Sequence, residues 1–372
     1  MLFMVTFNNN SLEREMKYPV TDVGMVHDHF NRVLIVGLGQ LGLPVAKYAV
    51  ETGFDNVYGY DVSPRAMDRA EKTAGIKKAT NFSDFDVYIL CVSTHKPEDI
   101  SSPQVEGLLS IVDRISKEAK KDGALVSIES TVPKGTSKKI YEILNHRLHV
   151  VHAPHRWYAL EEKEHGINQP RVIGGVCECC LKAGMQFYSG GSSLSSFSDI
   201  PNNKSFSSSF TYLSCSCQSL GIPMHPVSEV EIAELTKVAE NAQRYLQIAF
   251  AEDLYLYSQA NNINFSELRD ALNTKWNVNI LEPREGIGGH CLPKDTKMFL
   301  QSSSKSVRSK ILTAAMEVDQ DYQRHRQSRG STSSRFEDKA DTNEGKNPLL
   351  SFSFSTQQSS FNSEDETQKD PS

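Results

Sequence analysis

The stretch Arg32–Asp61, RVLIVGLGQLGLPVAKYAVETGFDNVYGYD, decides the fold. It opens with a short apolar run, Arg32–Val36, that stops at Gly37. GLGQLG spans Gly37–Gly42, and LPVAKYAVETG follows with apolar positions at helical spacing and a stop at Gly53. A second apolar run, Asn56–Tyr60, ends in Asp61. Strand, glycine turn, helix, strand and acid therefore succeed one another within one βαβ unit. Each residue type has a physical reason. Gly37 permits the tight turn, Gly39 lets a pyrophosphate approach the backbone, and Gly42 lets helix and strand pack closely. Gln40 and Leu41 stand at the helix start, where unpaired N–H groups and the positive dipole end favour phosphate. Asp61, 24 residues after Gly37, is placed to hold an adenosine ribose hydroxyl, which favours NAD over NADP. Arg65 nearby is the residue that would instead accept a 2′-phosphate.

Further strands are expected at Asp86–Val92, Ala124–Glu129, His149–His152 and Arg171–Ile173, with helical patterns at Pro103–Lys121 and Thr136–Leu148 between them. Strands apolar on both faces that alternate with helices predict an α/β protein whose N-terminal Rossmann domain is a doubly wound parallel sheet. Ligands in such sheets bind beyond the carboxyl ends of the strands, which puts Thr94 and Ser130-Thr131 beside the cofactor.

An all-helical central domain is expected next. Val227–Ala260 contains neither Gly nor Pro and is apolar nearly all round, so it should be a long helix buried on several sides, as a domain spine or a dimer seam. Ser228 and Glu231 resemble a capping box at its start. Lys237 and Asn241 lie four apart on one face. Downstream, Glu285–Asp295 reads EGIGGHCLPKD. Gly288 and Gly289 let backbone approach a ligand, and Cys291 precedes Pro293, which can open a helix whose N-terminus favours a thiolate. A nicotinamide cofactor and a nucleophilic thiol together suit oxidation of an aldehyde to an acid. In that chemistry Lys237 and Asn241 would stabilise the oxyanion, and Asp295 would position the water.

The chain has 372 residues, 23% of them charged, with 40 Lys+Arg against 46 Asp+Glu and a net charge of −6. That mild acidity argues against a nucleic-acid or anionic-membrane partner, and no apolar stretch is long enough to span a membrane. Seven cysteines form no disulfide framework, so a cytoplasmic, reducing location is expected. Hydrophobic residues, at 38%, run below the globular norm. The deficit falls on two Ser-rich segments, 189–219 with 13 serines and 328–372. Neither buries enough apolar surface to offset its ordering entropy, and both are expected to be disordered. The resulting organisation is an extension over 1–30, the Rossmann domain over 31–188, an insertion over 189–219, the helical domain over 220–327 and a tail over 328–372. Five cysteines crowd the insertion, as CECC (177–180) and CSC (215–217), but these spacings are not the usual C-x2-C of zinc sites. No metal is expected. His290 is expected to be a loop residue, and a phosphate or subunit contact by Arg284 is the lesser of the readings open for that residue.

GLGQLGLPVAKYA, YDVS, STVPKGT, EVEIAELTKVAEN and GIGGHCLPKD, in this order between about residues 31 and 300, resemble the UDP-glucose/GDP-mannose dehydrogenase family, which includes the UDP-N-acetylmannosamine dehydrogenases. Members oxidise the 6-hydroxyl of a nucleotide sugar to a carboxylate with two NAD+. The resemblance implies Cys291 as nucleophile, Lys237 and Asn241 as the oxyanion and proton-handling pair, and Asp295 beside them. It also implies Thr131 as a water or cofactor contact and the long helix as a homodimer core. GGHC leans towards the N-acetylmannosamine branch, LPKD towards the glucose and mannose branches. Three features differ from the family pattern. Pro154-His155 stands where the family has Pro-Glu, which makes His155 and Arg156 candidate substrate contacts. A helix over Lys305–Arg326 and a Ser-rich tail stand where members carry a C-terminal nucleotide-binding domain. The segment 189–219 interrupts the pattern between Tyr188 and LGIP. Two rival readings stay open: a single-step β-hydroxyacid dehydrogenase, which needs no cysteine, and an NAD-binding scaffold without turnover.

Overall fold

The computed structural model describes residues 30–96, 98–99, 102–156, 166–190, 218–289, 291–302 and 309–333, the last five without their side chains. The N-terminal extension up to residue 29, most of the Ser-rich insertion with Cys215 and Cys217, His290, and the tail beyond 333 lie outside the described residues.

Among these residues the strands are β1 (Val33–Val36), β2 (Val57–Tyr60), β3 (Lys77–Lys78), β4 (Val87–Leu90), β5 (Leu125–Ile128), β6 (His149–His152), β7 (Arg171–Gly175) and β8 (Met224–Val227). They form one sheet in the order β3-β2-β1-β4-β5-β6-β7-β8. The order reverses direction at β1, the switch point where doubly wound sheets bind dinucleotides. Side chains alternate across this sheet with period two. Val33 and Ile35 of β1 join one core with Val45, Ala46, Ala49, Phe187 and Tyr188, while Leu34 and Val36 join the other with Leu108, Val112, Ile115 and Ile140. The first core is covered by α1 (Gly42–Glu51), α2 (Pro64–Ala74) and α5 (Glu178–Ser189), the second by α3 (Glu106–Glu118) and α4 (Thr136–Ile143).

Several elements differ from the sequence reading. β7 runs antiparallel to β6, so the sheet is parallel at every neighbouring pair but one. β8 adds Met224–Val227 to the sheet, from residues expected in the helical domain. Its neighbouring loop closes tightly: Leu220 N–H donates to Phe187 O at 3.0 Å and Ile222 N–H to Tyr188 O at 2.8 Å. The helix α2 begins at a Ser63 cap and Pro64 and ends at Gly75 in the left-handed region, a start-and-stop signal the reading passed over.

The long helix is α6 (Val230–Ala260), about 46 Å at 1.5 Å per residue. The Ser228 capping box does not form: Glu229 is the N-cap without a side-chain bond, and Glu231 pairs instead with Lys138 at 2.5 Å. α6 docks on the sheet through Glu234. Its buried carboxylate accepts from Gly135 N–H at 2.6 Å and Ser137 N–H at 2.7 Å, capping α4 from outside. Where α6 crosses β7 only glycine fits, since a Cβ on Gly174 would lie 2.7 Å from Val230 Cα. The remaining helices are α7 (Phe265–Asn273), α8 (Cys291–Ser302) and α9 (Lys310–Ser333). Tyr245, Ala249, Ile287 and Ala315 form a separate apolar cluster joining α6, the glycine loop and α9. The chain divides into two compact units at residue 324, and of the second, 325–372, the described part is the end of α9.

Candidate active site

The glycine loop after β1 has the room a pyrophosphate needs. Gly37 sits at φ +90, and a Cβ there would lie 2.6 Å from Cys91 O. A Cβ on Gly42 would lie 1.7 Å from Gly37 O, so loop and helix touch through bare backbone. At Gly39, by contrast, a Cβ would meet nothing within 4 Å, which leaves open space over the loop. Gly39 and Gln40 are exposed, and α1 starts at Leu41 without a side-chain cap. Asp61 ends β2 and closes the loop from the other side: Oδ2 accepts from Leu38 N–H at 2.7 Å, Oδ1 from Ser63 N–H at 2.8 Å. The sequence reading put Arg65 here. Arg65 is exposed, and it is Arg69, one turn further along α2, that reaches the loop and donates to Leu38 O at 3.0 Å. Open backbone over Gly39, an uncapped helix start and a carboxylate at the end of β2 fit a dinucleotide.

Beyond the carboxyl ends of β4 and β5, Thr94 Oγ1 donates to Thr131 O at 2.8 Å, and Ser130 Oγ to Val92 O at 2.7 Å. The two strand exits are thus cross-linked by two hydroxyls, each donating to a backbone carbonyl of the other exit. Thr94 also receives Lys294 Nζ at 3.1 Å, a contact absent from the sequence reading. Lys294 lies in the first turn of α8 and pairs with Asp295 at 3.1 Å, so the helix that begins at Cys291 is fastened to the cofactor domain by a buried ammonium.

The same turn meets α6. Asn241 Nδ2 donates to Asp295 at 2.5 Å, which fixes the Lys237/Asn241 face of α6 against the start of α8. Cys291 opens α8 and is solvent-accessible. Its thiol is nevertheless pushed up from the ordinary value, first by the protein packed around it and then by the Asp295 charge; Lys294 and Lys237 pull the other way. This direction runs against the expected preference for thiolate: burial penalises the charged form most, and the Asp295 carboxylate adds to it. Gly288 and Gly289 are exposed with open space where a Cβ would be. The loop holding them is clamped by α9: Tyr322 donates to Arg284 O at 2.8 Å, and Asp319 accepts from Ile287 N–H at 3.4 Å and from Tyr245 at 3.0 Å.

His155 and Arg156 part ways. The Arg156 guanidinium is held by Glu240 of α6 and donates to Pro170 O at 3.1 Å, while its side chain stays partly exposed. His155, 6% exposed, belongs to a buried network around Glu129, which is fully buried. Glu129 accepts from His155 and from Tyr188, pairs with Arg171 at 3.2 Å, and lies 3.8 Å from Cys91 Sγ. Tyr188, having donated to Glu129, accepts from Ser127 at 2.7 Å. Burial opposes ionisation of Glu129, but His155 and Arg171 beside it hold the carboxyl down at about 2. Burial and the Arg171 charge hold the His155 imidazole down at about 4, so at neutral pH it is uncharged and donates a hydrogen bond from Nε2–H to the ionised Glu129. Its other nitrogen, Nδ1, is buried with no protein partner, and Lys237 is near enough for its charge to be felt. Glu129, Arg171 and Tyr188 were invisible in the sequence reading, since partners on three separate elements share no spacing.

Profiles of one family match two parts of the chain. The UDP-glucose/GDP-mannose dehydrogenase family, NAD binding domain, matches residues 64–190, and the family's central domain matches residues 231–321. The chain belongs to the UDP-glucose/GDP-mannose dehydrogenase family. Like other members it carries an NAD-binding domain, and the cofactor is NAD. Among curated members, a UDP-N-acetyl-D-mannosamine dehydrogenase of Methanococcus maripaludis is 26% identical over 310 residues, 77% of this chain and 65% of that protein. One from Pyrococcus horikoshii is 28% identical over 304 residues, 74% of this chain and 65% of that protein. This chain therefore spans about two thirds of their length. The solved structure of the UDP-D-ManNAc dehydrogenase from Pyrococcus horikoshii superposes with a TM-score of 0.60 at 25% identity, covering 78% of this chain and 68% of that one. Among the described residues no helix is long and apolar enough to cross a membrane.

Proposed function

We propose that the chain oxidises the primary 6-hydroxyl of a nucleotide sugar to the carboxylate in two NAD-dependent steps, through a thioester on Cys291. The observation that carries this reading is the bond from Asn241 to Asp295, which brings the Lys237/Asn241 face of α6 to the helix that starts at Cys291. NAD, held by the Gly37–Gly42 loop and Asp61, supplies the hydride acceptor for both oxidations. Lys237 and Asn241 donate to the substrate oxygen as charge develops on it, and Lys237 passes on the hydroxyl proton. Cys291 Sγ adds to the aldehyde carbon and loses its proton as the C–S bond forms, giving a thiohemiacetal. Loss of hydride from that carbon, with the proton of its hydroxyl passing to solvent through Lys237, leaves the thioester. Water then breaks the C–S bond, with Asp295 and the Glu129-oriented His155 as the groups placed to accept its proton. His155 takes the position where the family has a glutamate, and its unpartnered Nδ1 supports that role. Backbone at Gly288 and Gly289 and the hydroxyl of Thr131 complete the cleft. Nucleotide sugar and NAD are both cytoplasmic metabolites, and a uronic acid so made is a precursor for polysaccharide synthesis. The exposed Phe250 and Tyr257, seven apart on α6, support pairing of two copies along that helix.

An NADH-formation assay over a panel of UDP- and GDP-sugars tests the reading. Two NADH per acid formed, and none of the acid with Cys291→Ser, are the expected outcomes. One NADH per product supports a single-step hydroxyacid enzyme instead, and NAD binding without turnover on any sugar supports a scaffold.

A further inference from the structure

Three cysteines that the proposed chemistry does not use converge at the far end of the sheet from the cofactor loop. Cys177 is the N-cap of α5, Cys179 lies in its first turn, and Cys180 faces inward and is fully buried. Cys177 Sγ lies 2.8 Å from Cys179 Sγ and 3.0 Å from Cys180 Sγ. His149, the first residue of β6, is buried beside them, and one of its ring nitrogens lies within 4.8 Å of the sulfurs of both Cys179 and Cys180. Two backbone N–H groups already point at the sulfurs. Cys180 N–H donates to Cys177 Sγ and Val150 N–H to Cys180 Sγ, both at 3.3 Å.

We propose that Cys177, Cys179, Cys180 and His149 form a structural zinc site that staples the start of α5 to the start of β6. Three thiolates and one imidazole are a donor set that structural zinc sites use, and they select a soft or borderline ion over Mg2+ or Ca2+. Tetrahedral Zn–S bonds of about 2.3 Å place sulfurs about 3.8 Å apart, so the ion spreads the three sulfurs by about 1 Å and draws Cys177, which stands outside the close group of His149, Cys179 and Cys180, towards the imidazole. The N–H···S bonds offset part of the charge of three thiolates, as hydrogen bonds around metal ligands generally do. The spacing C-x-C-C by itself pointed away from zinc. What changes the reading is the fourth donor, which arrives from a neighbouring strand and has no fixed place in a sequence motif. A dithiol redox pair would need only Cys177 and Cys180 and leaves Cys179 and His149 without a part. The site lies at the amino end of β6, away from Cys291, and stands whether or not the oxidation proposed above occurs.

Metal analysis of the full chain, purified with a thiol reductant from zinc-supplemented cells, tests this. One zinc per chain is expected, kept in Cys291→Ser and lost in the half-buried Cys179→Ser. Replacement by Co2+ should give an intense thiolate-to-cobalt charge-transfer band and strong tetrahedral d–d bands. Cys179→Ser should remove these bands and weaken Co2+ binding by more than the roughly 10–100-fold that loss of an outer-shell partner costs. Wild-type protein without zinc, or with a Cys177–Cys180 disulfide under these conditions, overturns the proposal. So does a Co2+ spectrum unchanged in both Cys179→Ser and His149→Asn.

Discussion

Cys291 lies between opposing influences: surrounding protein and Asp295 raise its thiol, Lys294 and Lys237 lower it. A raised acid is protonated at neutral pH and gains reactivity only as pH climbs through its elevated value. Alkylation of Cys291 by iodoacetamide, followed by mass spectrometry in the free protein, should therefore rise with pH and reach its midpoint above the ordinary thiol value of 9.0. Asp295→Asn removes a raising charge and should move that midpoint down, while Lys237→Ala should move it up. A midpoint unmoved by Asp295→Asn would sink the assignment of Asp295 as an opposing charge. The cysteine after glycines and the Lys/Asn pair four apart were legible because both are local patterns, and the bond from Asn241 to Asp295 brings that pair's face to the helix Cys291 opens. Charge balance at the sulfur was not legible. It depends on how much protein packs around the sulfur and on Lys237 arriving from α6, and no spacing encodes either. Arg65 and Arg69 show the same limit: both follow Asp61 closely, and only the phase of α2 decides which one reaches Leu38.

At the scale of elements, helix starts explain more of the architecture than helix interiors do. α4 begins at Gly135 without a side chain of its own to cap it, and Glu234 from α6 does the capping instead. This is how Lys237, one turn beyond Glu234, comes to stand at the strand exits. Glutamine at 234 offers one acceptor oxygen where two N–H groups wait, and turns an amide donor towards the other. Glu234→Gln should thus destabilise the fold by about 1–3 kcal/mol, the cost of one unsatisfied buried donor, read from urea unfolding. A change within experimental error would mean that water already shares those donors. The βα alternation and the 31-residue helix were legible because periodicity is a property of contiguous sequence. The antiparallel direction of β7 and the late strand β8 were not, since periodicity does not encode strand direction and a four-residue edge strand carries little pattern. Ser228 matched the capping-box spacing, yet Glu231 found stronger company in Lys138.

For the molecule as a whole, the exposed apolar side chains concentrate on the helical part: Phe250 at 54%, Tyr257 at 59% and Trp276 at 93%. Aromatics of this size are costly to leave in water and are the usual anchors of protein interfaces. Light scattering on the full chain should give the mass of a dimer, and Phe250→Glu with Tyr257→Glu should shift it to monomer while NAD binding persists. A wild-type monomer at micromolar concentration removes α6 as the seam.

The two hydrogen bonds that join Phe187 and Tyr188 to Leu220 and Ile222 have a practical corollary. They form a closed base that brings the chain on either side of residues 191–217 together, so the length of that connection enters stability through loop-closure entropy. That entropy grows as the logarithm of length, about 0.6 kcal/mol per doubling. Replacing 191–217 by a short Gly/Ser bridge should leave fold and NAD binding intact and raise stability by roughly 1 kcal/mol, measurable as a small rise in melting temperature. The same closed base should accept a folded reporter domain, giving a permissive attachment point well placed for tagging this chain.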